Sequence, residues 1–341
     1  MTLAVLICDD SSLARRQMAR SLPADWDIAV SFAEDGKQAI AAIHEGKADL
    51  LFLDLNMPVM NGYEVLDQIR ADDLPTMVLV VSGDIQAEAR SRVMAKGALD
   101  FIRKPVAPDQ ISAVLERYGI LSLADSTHPR ADPSAPEYPR TDFLQALREV
   151  VNIAMGQAGS RLSELLGTFI QLPVPEVFVT PYRQLGSHLS YAQDPSMSAV
   201  SHGFSGNGVA GEAIFLMSSD KFSDLESLVA LDMPEDSNSH AGILTDLSEL
   251  LVGSCLKGIS QQLDIEFNHS YPVVLGHEQQ CTLLLDSESS QVTVLAINIS
   301  YHLSTPDMDC HLLLLMTEDS IPALRARVES LLQDVGEQIS C

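Results

Sequence analysis

The spacing of hydrophobic residues changes character twice along the chain. Up to about residue 120, short continuous apolar runs alternate with segments whose apolar residues recur every three or four positions. The runs include Leu3-Ala4-Val5-Leu6-Ile7-Cys8, Leu50-Leu51-Phe52-Leu53 and Met77-Val78-Leu79-Val80-Val81. Lacking polar alternation, they predict strands buried on both faces, as in a parallel sheet. Helices are expected at 11–22, 36–46, 63–72, 86–96 and 107–118, and further strands at 27–32 and 99–102, with Gly97 closing the helix before the last strand. Five strands alternating with five helices predict a doubly wound, flavodoxin-like α/β domain over residues 1–120.

From 121 to 141 the periodicity vanishes and Pro129, Pro133, Pro136 and Pro139 appear among Ser, Asp and Ala, which predicts a linker. Residues 142–341 carry a different pattern. A long amphipathic helix is expected over 142–166, with Leu144, Leu147, Val151, Ala154, Met155, Ala158, Leu162 and Leu165 along one face. Gln145, Glu149, Asn152, Gly156 and Ser163 gather roughly opposite them. Asn and Gly are poor helix formers, so their place in mid-helix suggests a face that something approaches closely. Strands are expected at 175–180, 197–204 and 209–217, then at 271–275, 281–285, 292–301 and 310–317, with hairpin turns at Gly206-Asn207-Gly208 and Ser289-Ser290. The chain also matches itself. Glu149-x2-Asn152-x3-Gly156 followed by Pro175 recurs as Asp246-x2-Glu249-x3-Gly253 followed by Pro272, each position 97 residues on. An α+β domain built by internal duplication is therefore expected.

Composition narrows the function. The net charge is −26, shared unevenly: residues 1–120 hold 12 basic and 18 acidic groups, residues 121–341 hold 9 and 29. So acidic a surface repels phosphate backbones and anionic lipids, which argues against nucleic-acid binding and membrane insertion. The five Cys are widely spaced without a CxxC pair, so neither a disulfide framework nor a zinc site is suggested and a reducing, cytoplasmic setting is expected.

The candidate chemistry lies where the first-domain strands end. Asp9 and Asp10 follow the first run, Asp54 the third, Ser82 the fourth and Lys104 the fifth, and strand ends of one parallel sheet share one edge. Carboxylates about 5 Å apart repel by roughly 3 kcal/mol per pair at an effective dielectric of ~20, so the cluster calls for a hard divalent cation, magnesium. Such a cation can bridge to a phosphoryl group that Asp54 accepts as nucleophile, while Lys104 and Ser82 bind the other oxygens. These residues resemble the receiver domain of two-component response regulators over 1–120. The resemblance implies Asp54 as phosphoacceptor, Asp9, Asp10, Asp54 and the Asn56 backbone carbonyl around Mg2+, and Ser82 and Phe101 as switch residues. It further implies Lys104 as phosphate-binding lysine before a cis Pro105, and Asn56 and Asp84 as positions that tune self-hydrolysis. A sensor histidine kinase would then be the phosphodonor.

Glu149-x2-Asn152 with Pro175 after a further 22 residues is similar to the signature of the CheC, CheX and FliY phosphatase family, over about 142–335. That resemblance implies Glu149 as the anchor on a receiver's lysine and Asn152 as the residue that aligns water for attack on phospho-aspartate. The substrate would be a phosphorylated CheY-like receiver, or the chain's own. Gln145 departs from the family's Asp or Ser, and the second copy has Asp246 and Glu249, whose charge would repel a phosphoryl anion; that half is expected to be inactive. The alternative is a phosphorylation-gated, non-catalytic docking module for a signalling or motility partner.

Overall fold

The computed structural model describes residues 2–23, 26–121, 142–192, 194, 196–229, 240–276 and 292–337. The chain forms two compact units, Met1–Glu149 and Val150–Cys341.

In the first unit five strands, β1 (Leu3–Cys8), β2 (Ile28–Ala33), β3 (Leu50–Leu53), β4 (Met77–Ser82) and β5 (Asp100–Arg103), alternate with helices α1 (Ser12–Ser21), α2 (Gly36–His44), α3 (Gly62–Ala71), α4 (Ala87–Ala95) and α5 (Pro108–Arg117). The strands pair in parallel in the order β2-β1-β3-β4-β5, with the reversal at β1/β3 that opens a crevice at the carboxyl ends. The unbroken apolar runs have a direct cause. Leu51 and Leu53 enter one core with Val65 and Val80, while Leu50 and Phe52 enter the other with Leu79 and Ile111, since successive residues face opposite sides. Helix starts are set by side chains. Ser11 accepts from Ala14 N, Asp35 from Gln38 N, and Asn61 and Glu64 form a capping box.

The first unit also takes in residues 142–149, which include the opening turns of helix α6 (Phe143–Leu166). The apolar face of α6 is wider than the sequence reading has it: Phe143, Ala146, Val150 and Ile153 are buried as well, and so are Glu149 and Asn152 of the polar face.

Among the described residues the second unit is an α+β body around an eight-stranded sheet. Its strands are β6 (Ile170–Gln171), β7 (Glu176–Pro181), β8 (Met197–Gly206), β9 (Val209–Ser218), β10 (Asn268–His269), β11 (Val273–Gly276), β12 (Thr293–Ser304) and β13 (Asp307–Thr317). The other helices among the described residues of this unit are α7 (Leu185–His188), α8 (Phe222–Val229), α9 (His240–Leu263) and α10 (Ile321–Glu337). The order β10-β8-β9-β13-β12-β6, with β11 also on β8 and β7 also on β12, reads alike from both ends. Every described pairing in this sheet is antiparallel. Helices α6 and α9 have 24 residues each and start 97 apart. Within this unit the close helix contact falls at Gly258, where a Cβ would lie 2.8 Å from the Cα and Cβ of Ala154; at Gly253 it would meet only His269 Nε2, at 3.8 Å.

Asn207 (φ 49°) and Gly208 (φ 82°) make the two-residue turn between β8 and β9, as Asn-Gly is suited to do. The turn between β12 and β13 is Thr305-Pro306, with a cis peptide bond, a hairpin the sequence reading leaves unassigned. The expected strand 281–285 and turn Ser289-Ser290 lie outside the described residues.

Candidate functional site

Strand ends deliver the acid cluster. The Asp54 backbone N–H donates to Cys8 O across β3 and β1 at 2.9 Å, and Lys104 N donates to Ser82 O across β5 and β4 at 2.9 Å, so the four ends share one register. Ligand oxygens of Asp9, Asp10 and Asp54 all lie within 4.8 Å of one another. Asp54 is 1% exposed and Lys104 7%. Lys104 Nζ donates to Asp9 Oδ2 at 2.7 Å and to Glu149 Oε1 at 2.9 Å, and it faces Asp54 Oδ1 at 3.2 Å outside hydrogen-bond geometry. One buried ammonium thus serves three carboxylates of the first unit.

That sharing explains the titration pattern. Burial pulls the Lys104 ammonium down, yet Asp54, Asp9 and Glu149 together outweigh it and hold the lysine well above its ordinary value. Each carboxylate has only part of that one cation, so for Asp54 burial wins and its carboxyl is held well above the usual range despite Lys104. Glu149 is likewise pushed up to about 7, first by burial, with Lys104 opposing. Asp10 is pushed up to about 6 by burial and by Asp9, against the pull of Arg148, Lys104 and Arg15.

The surroundings fix this cluster. Ser11, rather than Asp10, caps α1, which leaves the Asp10 side chain to the acid group. Asp9 Oδ1 accepts from Ser11 N at 2.8 Å, and the buried Arg15 guanidinium donates to the Asp9 carbonyl at 2.6 Å and to Glu34 at 2.8 Å. Asp54 Oδ2 accepts from Asn56 N at 3.0 Å. Ser82 is fully buried, its Oγ accepting from Asp84 N at 3.2 Å, and Asp84 accepts in turn from Gln86 N at 3.0 Å. Burial pushes Asp84 up to about 6. Phe101 is half-buried against the α3/α4 side of the core, and the Lys104–Pro105 peptide is cis. The donor set fits a hard divalent cation: three carboxylates converge, and Asp54 Oδ1 and Asp10 Oδ2 are buried without a hydrogen bond.

The model of the response regulator receiver domain matches residues 5–116. Chemotaxis protein CheY of Listeria monocytogenes is 37% identical over 116 residues, covering 34% of this chain and 97% of the relative. The chain belongs to the response regulator receiver family. A protein-glutamate methylesterase/protein-glutamine glutaminase of Bacillus licheniformis is 39% identical over 106 residues, 30% of this chain and 29% of the relative. The chain spans under a third of the length of that relative. Among solved structures, Thermotoga maritima FliY covers 55% of this chain and 96% of that chain at 17% identity and a TM-score of 0.41. Among the described residues no helix is long and apolar enough to cross a membrane.

The structure brings Asp9, Asp10, Asp54, Ser82, Lys104 and Glu149 of the sequence-derived set into one neighbourhood of the first unit. In the second unit, Asn152 is 4% exposed and its Oδ1 has no hydrogen-bond partner. Asp246 and Glu249 repeat its spacing on α9, and Asp246 is pushed up by burial and by Glu249. Sequence reasoning missed Arg15 and Arg148. Arg148 Nη2 lies 3.2 Å from Asp10 Oδ2, and the one available signal was its place beside Glu149.

Proposed function

We propose that this chain is a response regulator, phosphorylated on Asp54 by a sensor histidine kinase, whose CheC-like second domain hydrolyses phospho-aspartate on a CheY-like receiver, another molecule's or its own. The observation that carries this reading is the 2.9 Å hydrogen bond from Lys104 to Glu149. Glu149 is the anchor that the CheC, CheX and FliY signature assigns to a receiver's lysine, and the lysine it holds belongs to the same chain.

In this reading Asp9, Asp10, Asp54 and the Asn56 carbonyl hold Mg2+, which supplies charge neutralisation for the phosphoryl group. Lys104 and the Ser82 hydroxyl bind phosphoryl oxygens. As Ser82 is drawn to them, Phe101 moves into the space it leaves and biases a preexisting equilibrium. Asn152 lies three residues after Glu149 and shares its helix face. Its amide orients a water for in-line attack on phosphorus; the P–O bond to Asp54 breaks, Asp54 leaves as carboxylate, and the proton of the attacking water ends on phosphate. A buried amide oxygen with no protein partner is suited to accept from such a water. Asp246 and Glu249 occupy the duplicated positions, and the carboxylate of Glu249 repels a phosphoryl anion, so the second half is inactive.

The test uses the full chain, labelled with a small phosphodonor and freed of excess donor. If the chain's own receiver is the substrate, loss of acid-labile phosphate is first-order and independent of protein concentration. Asn152→Ala should slow it about 10²–10³-fold, the usual effect of removing one preorganised hydrogen bond. If Asn152→Ala decays like the parent, the docking-module reading takes over. If decay accelerates with concentration, or if unlabelled Asp54→Asn chain dephosphorylates a second labelled receiver, the substrate is another molecule.

A further inference from the structure

Two adjacent residues of α6 act on the acid cluster in opposite senses. Glu149 draws on Lys104, the cation that Asp9 and Asp54 also need. Arg148 brings a second cation to the remaining carboxylate, with Nη2 3.2 Å from Asp10 Oδ2, the oxygen that has no hydrogen bond. Arg148 is not part of the phosphatase signature. Its side chain is 31% exposed while that of Asp10 is 8% exposed, so the guanidinium enters from the rim and turns its charged end to the buried acid.

We propose that Arg148 is a built-in competitor of the divalent cation of the receiver pocket. Its positive charge neutralises Asp10, one of the three carboxylates that would otherwise hold the metal, and it stands where the field of a bound Mg2+ would repel it. The linkage is reciprocal: whatever Arg148 takes from Mg2+ affinity, bound Mg2+ takes from the hold of residues 145–149 on the pocket. Metal loading, a precondition of phosphorylation, therefore loosens the same turn that carries Glu149. The inference rests on the metal reading of the pocket and is independent of the phosphatase reading, since nothing in it requires hydrolysis.

Calorimetric titration of Mg2+ into chelator-treated full chain tests it. Arg148→Ala should bind Mg2+ on the order of tenfold more tightly than the parent, as expected for removing one like charge from a half-screened site, whereas Arg148→Lys, which keeps the charge, should stay close to the parent. Amide exchange in residues 145–149 of the unmodified chain should quicken when Mg2+ is added, a measurement that needs no variant to fold. An affinity of Arg148→Ala within twofold of the parent or weaker, or exchange that is unchanged or slowed by Mg2+, overturns the proposal. Asp54→Asn separates the two levels. If it leaves Mg2+ affinity untouched, the cation does not bind in this pocket and the metal reading falls along with the inference; if it weakens binding while Arg148→Ala does nothing, the inference alone fails.

Discussion

Replacing Glu149 by Gln removes half of a buried ion pair, and the expected result is a more stable first unit at alkaline pH. The Lys104–Glu149 contact at 2.9 Å has a gross attraction of about 6 kcal/mol at an effective dielectric of ~20. Lys104, however, also serves Asp9 at 2.7 Å and Asp54 at 3.2 Å, and Glu149 is 3% exposed. Burial outweighs its share of the lysine, which is why its carboxyl rises from 4.5 to about 7. A folded value above the unfolded one means stability that is fully present below pH 4.5 and lost as pH rises through 7. The loss amounts to about 3 kcal/mol once both forms are ionised. Gln keeps an oxygen for Lys104 and carries no charge to desolvate. The assay is urea unfolding in chelating buffer, followed by fluorescence of Trp26, the one tryptophan of the chain, which sits in a core of the first unit and reports on that unit alone. The stability of Glu149→Gln relative to the parent should be about 2 kcal/mol more favourable at pH 8 than at pH 5.5. A difference that does not change with pH, or a parent that gains on the variant at pH 8, would show that Lys104 fully compensates Glu149 and that the argument from sharing is wrong.

Asp54→Asn should abolish labelling by a small phosphodonor, and chelation of Mg2+ should do the same to the parent; stable acid-labile phosphate in either case removes Asp54 or the cation from the proposal. His311, stacked on Tyr191 and bonded to Ser300 at 3.0 Å, is held down at about 4 by burial. Because the unfolded chain takes up this proton first, stability of the second unit should fall by about 3 kcal/mol as pH drops from 6.5 to 4; His311→Gln, followed by circular dichroism, should flatten that slope. Gly258→Val should destabilise the second unit by roughly 1–3 kcal/mol, since its Cβ would meet Ala154 at 2.8 Å; an unchanged melting temperature would mean that α6 and α9 separate at little cost.

What could be read from the sequence was whatever has a local period. Apolar runs ending in Asp9, Asp54, Ser82 and Lys104 located both the sheet and the edge where its polar residues meet, because a parallel strand buried on both faces leaves no other pattern. The recurrence of Glu149-x2-Asn152-x3-Gly156 as Asp246-x2-Glu249-x3-Gly253 falls on α6 and α9, which start 97 residues apart. Pairings between distant positions had no such signature. Arg148 reads as an ordinary charge on a helix, and only the fold brings it to Asp10; Arg15 reads as a surface residue of α1 yet is buried against the Asp9 carbonyl. The polar face of α6 was legible as a stripe, but burial of Glu149 and Asn152 depends on partners that helical periodicity does not contain. Thr305-Pro306 was missed as a turn because it lacks the Asn-Gly chemistry that marked Asn207-Gly208.

The sheet of the second unit is laced across its midline: β6 and β7 of the first half hydrogen-bond to β12 of the second, and β10 and β11 of the second to β8 of the first. Each half therefore completes its sheet only with strands lent by the other. Under the proposed division of labour, in which one half keeps the hydrolytic residues and the other has lost them, the silent half is still indispensable. Cutting it away would leave β6 and β7 without their partner strand and α6 without the helix that packs on Ala154, so the chemistry of a single helix face depends on the whole interlocked pair.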